Sequence, residues 1–219
     1  MKIVSTNIGK STTIFWNGQE TQTGIYKYPS NASIFLNKED VSGDTISDRR
    51  VHGGIHKACY LFSENEYVYW KKLYPKLKWD WGMFGENLTV ANLDESKIRI
   101  GDIYKIGTTL VQVSQSREPC YKLGIRFDNI EILQQFIAHG RSGAYVRVLE
   151  EGEVKAGDEM ILVKQSKNTL TIQQYFELIF AREKDINLVK LAVNNKGLPE
   201  RKRLRLENFL LNPDGPARF

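Results

Sequence analysis

The sequence predicts a mainly β protein: a closed β-barrel with a few helices, followed by a small C-terminal three-helix module. Three observations predict it. Short apolar runs bounded by Gly, Asn, Asp and Pro recur as far as Val163 and read as ~8 to 10 strands. So many short strands leave many edges, and closing the sheet removes them. Beyond Val163 the texture changes to three amphipathic stretches at helical period. The boundary falls near residue 165, with residues 1–165 forming the barrel domain and residues 166–219 the helical one.

The elements follow in order. Residues 12–16 and 19–23 flank Asn17-Gly18, a strong hairpin signal because both central residues must accept positive φ. Residues 33–36 and 57–62 read as further strands. Ser63-Glu64-Asn65-Glu66 has the form of a capping box, Tyr67, Trp70 and Tyr74 repeat at helical spacing, and Pro75 lies past the end. The turn-rich passage 81–87 leads into a strand. Gly101-Asp102 and Gly157-Asp158 each precede an apolar run, as tight turns into strands. Between them lie a strand at 109–114, a loop holding Cys120, and one helix. Asp128 is its expected N-cap and Gly140 its stop. A strand at 143–149 turns at Glu151-Gly152. Residues 169–182, 185–194 and 199–211 are the three terminal helices, with Gly197 and Pro199 between the last two.

Composition narrows the class. A 219-residue chain can bury a core without disulfide staples. No stretch approaches the ~20 apolar residues of a membrane span. The opening residues lack the apolar run of a secretory leader, so a cytoplasmic location is expected. Cys59 and Cys120, the two cysteines, are then expected as free thiols. Residues 1–163 carry 20 Lys and Arg against 20 Asp and Glu, whereas residues 164–219 carry 11 against 6. The tail thus holds the whole net charge of +5. No nucleic-acid motif accompanies it, and nucleic-acid binding is not expected.

Cys120 is the leading candidate for chemistry. It follows an apolar strand, Pro119 restrains its loop, and Arg117 and Lys122 flank it. Nearby cations favour a thiolate, which is both a nucleophile and a soft metal ligand. A buried structural role is the competing reading, and it is the one assigned to Cys59, inside an aromatic strand. Val51-His52-Gly53-Gly54-Ile55-His56-Lys57 comes second. Paired glycines turn sharply and present N–H groups to an anion, and His52 and Lys57 add donors. Zinc on His52, His56, Cys59 and Cys120 is disfavoured, because Gly53-Gly54 breaks the helix that His-x3-His would need. In Phe84-Gly85-Glu86-Asn87, Glu86 could shuttle a proton and Asn87 anchor a ligand amide; Lys27 stands beside the rigid Tyr28-Pro29 bend. Walker loop, dinucleotide fingerprint and nucleophile elbow are all missing from the sequence.

Taken together, His52-Gly53-Gly54, Phe84-Gly85-Glu86-Asn87-Leu88, Gly101-Asp102 and the run Gln112 to Leu123 containing Arg117-Glu118-Pro119-Cys120 resemble the MOSC-domain family. Val148-Leu149 through Gly157-Asp158 closes the pattern, and the terminal helices look like the three-helix (3-alpha) appendage of its YiiM-like subgroup. That resemblance implies a MOSC-like barrel binding the molybdenum cofactor, a molybdenum held by a pterin dithiolene (molybdopterin). Cys120 would be the metal's protein thiolate, and Lys27, Arg117 and Lys122 would grip pterin and phosphate. Family-level vocabulary also includes molybdenum-ion and pyridoxal phosphate binding. The implied activity is reduction of N-hydroxylated bases such as hydroxylaminopurines, a detoxification, with electrons from a separate redox protein. Two positions depart from the family pattern: His56 stands where an acidic residue is usual, and Ala144 where an aromatic is common.

Donors and cations around one soft thiolate also suit such an anionic cofactor on physical grounds, with His52, Gly53, Gly54, Lys57 and Asn87 joining the three basic residues. Reducing N–OH to N–H needs protons, for which His52 and Glu86 are the candidates. A non-catalytic sulfur or cofactor carrier using Cys120 is the alternative. The basic tail, with Arg201, Lys202, Arg203 and Arg205, is expected to dock an acidic donor of flavodoxin or ferredoxin type.

Overall fold

A computed structural model describes residues 1–47 and 53–212. The strands are β1 (Lys2–Gly9), β2 (Thr12–Trp16), β3 (Gln19–Thr23), β4 (Lys27–Pro29), β5 (Ile34–Leu36), β6 (Cys59–Ser63), β7 (Leu88–Ala91), β8 (Ile103–Ile106), β9 (Thr109–Ser116), β10 (Ala144–Glu150), β11 (Gly152–Val154) and β12 (Met160–Lys164). The helices are α1 (Glu64–Leu73), α2 (Tyr121–Arg126), α3 (Ile132–His139), α4 (Ile172–Phe180), α5 (Ile186–Val193) and α6 (Glu200–Leu211), with a 3-10 turn at Ile55–Lys57.

The closed barrel does not form. Eight strands make one sheet in the order β12-β8-β9-β10-β6-β7-β1-β4, whose outer strands do not pair with each other. The start of β1 reaches the turn before β12, where Ile3 N–H donates to Asp158 C=O at 2.9 Å, yet only a single bridge, Lys2 to Glu159, results. The physical reason lies in the short strands. β2 and β3 pair only with each other, and β5 pairs with β11, so these strands are not available to complete a wall. One contact is parallel, β6 to β7, with α1 as the crossover between them.

Several local expectations hold. Asn17 and Gly18 have φ of 50° and 75°, as the two-residue turn between β2 and β3 requires. In the two Gly-Asp turns the aspartate accepts the N–H three residues back: Asp102 from Arg99 and Asp158 from Lys155, each at 2.9 Å. Gly140 ends α3 in the left-handed conformation. Beyond those expectations, Thr171 and Gln174 form a capping box before α4, and the Asp185 side chain caps α5.

Two helix starts differ from expectation. Ser63 caps α1 by position only, since its hydroxyl makes no cap bond and Glu66 is drawn to His139 on α3. Asp128 is not a cap either; it sits at φ 49°, and Asn129 Oδ1 accepts the Glu131 N–H at 2.9 Å instead. The chain around 121–126, expected as loop, is α2.

One hydrophobic cluster joins the sheet to all the helices. Trp70, Phe84 and Phe136 pack at its centre, Leu123 and Phe127 bring in α2, and Phe176, Val189 and Leu206 bring in the last three helices. The terminal helices thus lie on the same core as the sheet. Among the described residues no helix is long and apolar enough to cross a membrane.

Candidate functional site

A cavity of about 620 Å³ opens where β9 ends, where the 53–57 turn returns to β6, and where α6 begins. β9 carries the chain out of the sheet: Ser116 still pairs with Ala144 of β10, and from Arg117 the backbone is free to turn. Glu118-Pro119 leads to Cys120, the N-cap of α2, whose carbonyl accepts the Leu123 N–H at 2.8 Å. The Cys120 side chain is half-buried, unbridged and lines the cavity. Trp16 from the hairpin stacks on Tyr121 with ring centroids 4.8 Å apart, which steadies the start of α2.

Arg117 is buried against the wall. Its guanidinium lies over Tyr60 at 5.1 Å and Phe136 at 5.8 Å, and its Nη1 has no hydrogen-bond partner among the described residues. Burial pulls its pKa down, but Tyr60, Tyr145 and Cys120 outweigh that and raise it, so the group is a permanent cation. A buried, unsatisfied charged donor beside a cavity is costly unless a ligand completes it.

The other expected residues fall into three groups. Lys27 and Asn87 line the cavity and converge on Asp44, Lys27 as an ion pair and Asn87 Nδ2 as a donor at 2.9 Å. Lys122 lines it as well, donating to Ser47 Oγ at 3.0 Å. Gly53, Gly54 and Lys57 form the turn above β6; Gly54 has φ +89°, where L side chains are strained although space for a Cβ exists. Burial lowers the pKa of Lys57; Glu118 opposes that, and Lys202 and Arg201 add to it. His52 lies outside the described residues.

Glu86 is elsewhere. It is fully buried and is not among the cavity-lining residues. Its carboxylate accepts the Tyr67 hydroxyl, the Thr89 hydroxyl and Gly82 N–H at 2.9 Å each for the latter two, and Phe84 N–H at 3.1 Å. Burial raises its pKa and these bonds oppose the rise. Its geometry ties the 82–86 turn to β7 and α1.

Sequence reasoning missed Asp44, Ser47, Tyr60, Gln115 and Tyr145, all of which line the cavity. It treated His56 only as a departure and a disfavoured ligand; here it lines the cavity with its Nδ1 buried and without a partner among the described residues, and burial, then Arg147 and Arg203, lower its pKa. It assigned the basic tail to docking a partner and did not place it at the cavity; Arg201, which is exposed, and Lys202 also line the cavity, and Lys202 forms an ion pair with Glu118 of the Cys120 loop.

The donor set fits the expected cofactor class. One soft sulfur ringed by cations suits a metal that arrives already held in an anionic cofactor, whereas a bare ion needs three or four protein ligands. Among the described residues no three His, Cys, Asp or Glu side chains come together to hold one.

Residues 48–161 match the family model of the MOSC domain. The protein YflK of Bacillus subtilis (strain 168) is 32% identical over 198 residues, covering 90% of this chain and 89% of its own. A protein of Gibberella moniliformis (strain M3125 / FGSC 7600) named Reductase is 33% identical over 175 residues, which cover 78% of this chain and 31% of that longer one. The crystal structure of YiiM from Geobacillus stearothermophilus matches with a TM-score of 0.80 at 31% identity, covering 95% of this chain and 98% of that one. The chain belongs to the MOSC-domain family, a family generally associated with the molybdenum cofactor.

Proposed function

We propose that this protein is a molybdenum-cofactor-dependent reductase of N-hydroxylated compounds. The observation that carries the reading is Cys120, a cavity-facing sulfur set among Arg117, Lys122 and Lys57. The similarity to a protein named Reductase and to YiiM supports it. In the reaction R–NH–OH takes up two electrons and two protons, the N–O bond breaks, and R–NH2 and water leave. The cofactor, when bound, supplies the redox-active metal for this exchange.

The residues of the chain bind and orient. Cys120 Sγ is the thiolate ligand. Arg117 Nη1 and Lys122 Nζ offer charge-assisted hydrogen bonds to anionic cofactor groups. The Gly53-Gly54 turn offers backbone N–H groups. Protons come from donors lining the cavity, among them the Lys57 ammonium; Glu86 is set aside because its carboxylate is sealed in the core. Electrons come from a separate acidic redox protein of flavodoxin or ferredoxin type.

The test is metal analysis and turnover of protein made in a host that synthesises the cofactor. Near-stoichiometric molybdenum with reduction of a hydroxylamino base is the expected result. Labile sulfur on Cys120 without turnover would replace the reductase with a sulfur carrier.

A further inference from the structure

Three strands meet in register at the cavity. Tyr145 of β10 lies opposite Gln115 of β9 on one side and Tyr60 of β6 on the other. Directly opposed residues of an antiparallel pair point to the same face of the sheet. Gln115, Tyr145 and Tyr60 all line the cavity, so that face is its floor. The two tyrosine rings pack with centroids 5.0 Å apart, and Lys57 Nζ stands 5.6 Å from the centre of the Tyr145 ring.

The two hydroxyls differ. That of Tyr60 donates to Ser142 C=O at 2.7 Å and is held in the wall. That of Tyr145 has no hydrogen-bond partner among the described residues, and the side chain is half-buried on the cavity floor. Burial pushes the Tyr145 pKa up to about 12; Arg117 opposes this, and Cys120 and Glu118 add to it. At neutral pH the phenol therefore keeps its proton, with the Cys120 sulfur and the Arg117 guanidinium near enough to act on it. Three other cavity cations are committed elsewhere: Lys27 is paired with Asp44, Lys122 donates to Ser47, and Arg117 does not give up a proton.

We propose that Tyr145 is a catalytic residue, whose hydroxyl donates to the oxygen of the substrate's N–OH group. This rests on the reductase reading for the reaction and on the cavity floor alone for the contact. Hydroxide is a poor leaving group, so the oxygen must be protonated as it departs. When the N–O bond breaks, its electron pair stays with oxygen, and the Tyr145 proton passes to that oxygen, which leaves as water. The second proton joins the nitrogen from solvent, and the two electrons are those that the external redox protein delivers. The phenolate left behind lies in the field of the Arg117 cation until solvent reprotonates it. Tyr145 thus takes the proton-donor role that the sealed Glu86 cannot fill.

Tyr145→Phe removes the hydroxyl and keeps the ring, its packing on Tyr60 and its contact with Lys57. The full-length protein, made with cofactor, is assayed as wild type and Tyr145→Phe for reduction of a hydroxylaminopurine, and the molybdenum content of each is measured. Without an electron donor, calorimetry compares binding of the hydroxylaminopurine with that of the corresponding aminopurine. Tyr145→Phe should keep its molybdenum and lose about 100-fold in kcat, with KM rising no more than about tenfold. The wild type should bind the N-hydroxylated compound about fivefold or more tighter than the amine, and Tyr145→Phe should bind the two equally. Wild-type kcat in Tyr145→Phe overturns the proposal. Loss of molybdenum from Tyr145→Phe also overturns it, by assigning the hydroxyl to the cofactor. If the wild type reduces nothing, the reductase reading fails and calorimetry decides the contact: a preference for the N-hydroxylated compound that Tyr145→Phe abolishes keeps it, and equal affinity or no binding in the wild type removes it.

Discussion

Cys59 and Cys120 carry the same side chain, one inside the sheet and one beyond its end, and the fold gives them opposite environments. Cys59 pairs with Val146 inside β6, a strand buried along its whole length, and burial pushes its thiol well up. Cys120 lies four residues past the end of β9, half-buried at a cavity edge with Arg117 behind it. A central strand can only make a cysteine into packing; a chain leaving the sheet can offer it to a ligand. The difference comes from where the strand stops rather than from the residue.

The largest expected effect breaks this comparison if it fails. Cys120→Ser should lower turnover more than ~100-fold while the protein stays folded, because a hydroxyl is a poor ligand for a soft metal, and Cys59→Ser should stay within about twofold. Wild-type turnover in Cys120→Ser would sink the ligand assignment. Next is labelling of folded, cofactor-free protein with a water-soluble maleimide, read by peptide mass spectrometry. Cys120 should react about 100-fold faster than Cys59, whose modification waits on opening of the core. Equal rates would mean that β6 opens readily and the contrast is not one of burial.

Arg117→Ala sharpens the comparison by removing the cation from one cysteine only. Losing a charge-assisted hydrogen bond should reduce cofactor occupancy by about ten- to 100-fold when cofactor is limiting. Undiminished molybdenum content would leave Arg117 as a support for Tyr60 and Phe136.

The smallest effect isolates burial by itself. Glu95 is buried, and burial pushes its pKa up to about 8 although the Gly143 N–H, donating at 2.7 Å, works against it. The folded state then keeps a proton that the unfolded chain releases near its ordinary value of 4.5. Stability from this group is full below that value and is lost as pH rises through about 8. Glu95→Gln should therefore flatten the fall in Tm between pH 6 and pH 9 by a few degrees. A parallel fall in both proteins would show that Glu95 is not the titrating group.

Much of the local structure was legible because its causes lie within a few residues. The Asn17-Gly18 turn, the two Gly-Asp turns and the Gly140 stop each depend on a backbone conformation or bond spanning no more than four positions. Failures came where a distant group competed. The Ser63 box is undone by His139, which takes Glu66 from 73 residues away. Proton supply at Glu86 looked plausible from the Phe-Gly-Glu-Asn run, since nothing in that run shows Tyr67 and Thr89 closing over the carboxylate.

By itself the sequence determined that strands dominate the first three quarters of the chain and helices the rest, that Cys59 belongs in a strand, and that Cys120 sits in a turn between cations. Only the tertiary structure decided that the sheet stays open, that Asp44 gathers Lys27 and Asn87, and that the basic end of α6 faces the cavity. These depend on contacts such as Lys202 with Glu118, 84 residues apart, and Lys122 with Ser47, 75 apart. Period, turn chemistry and capping are local and survive in the order of residues. Which edges pair and which charges meet is set by burial of one shared core, and no local pattern encodes it.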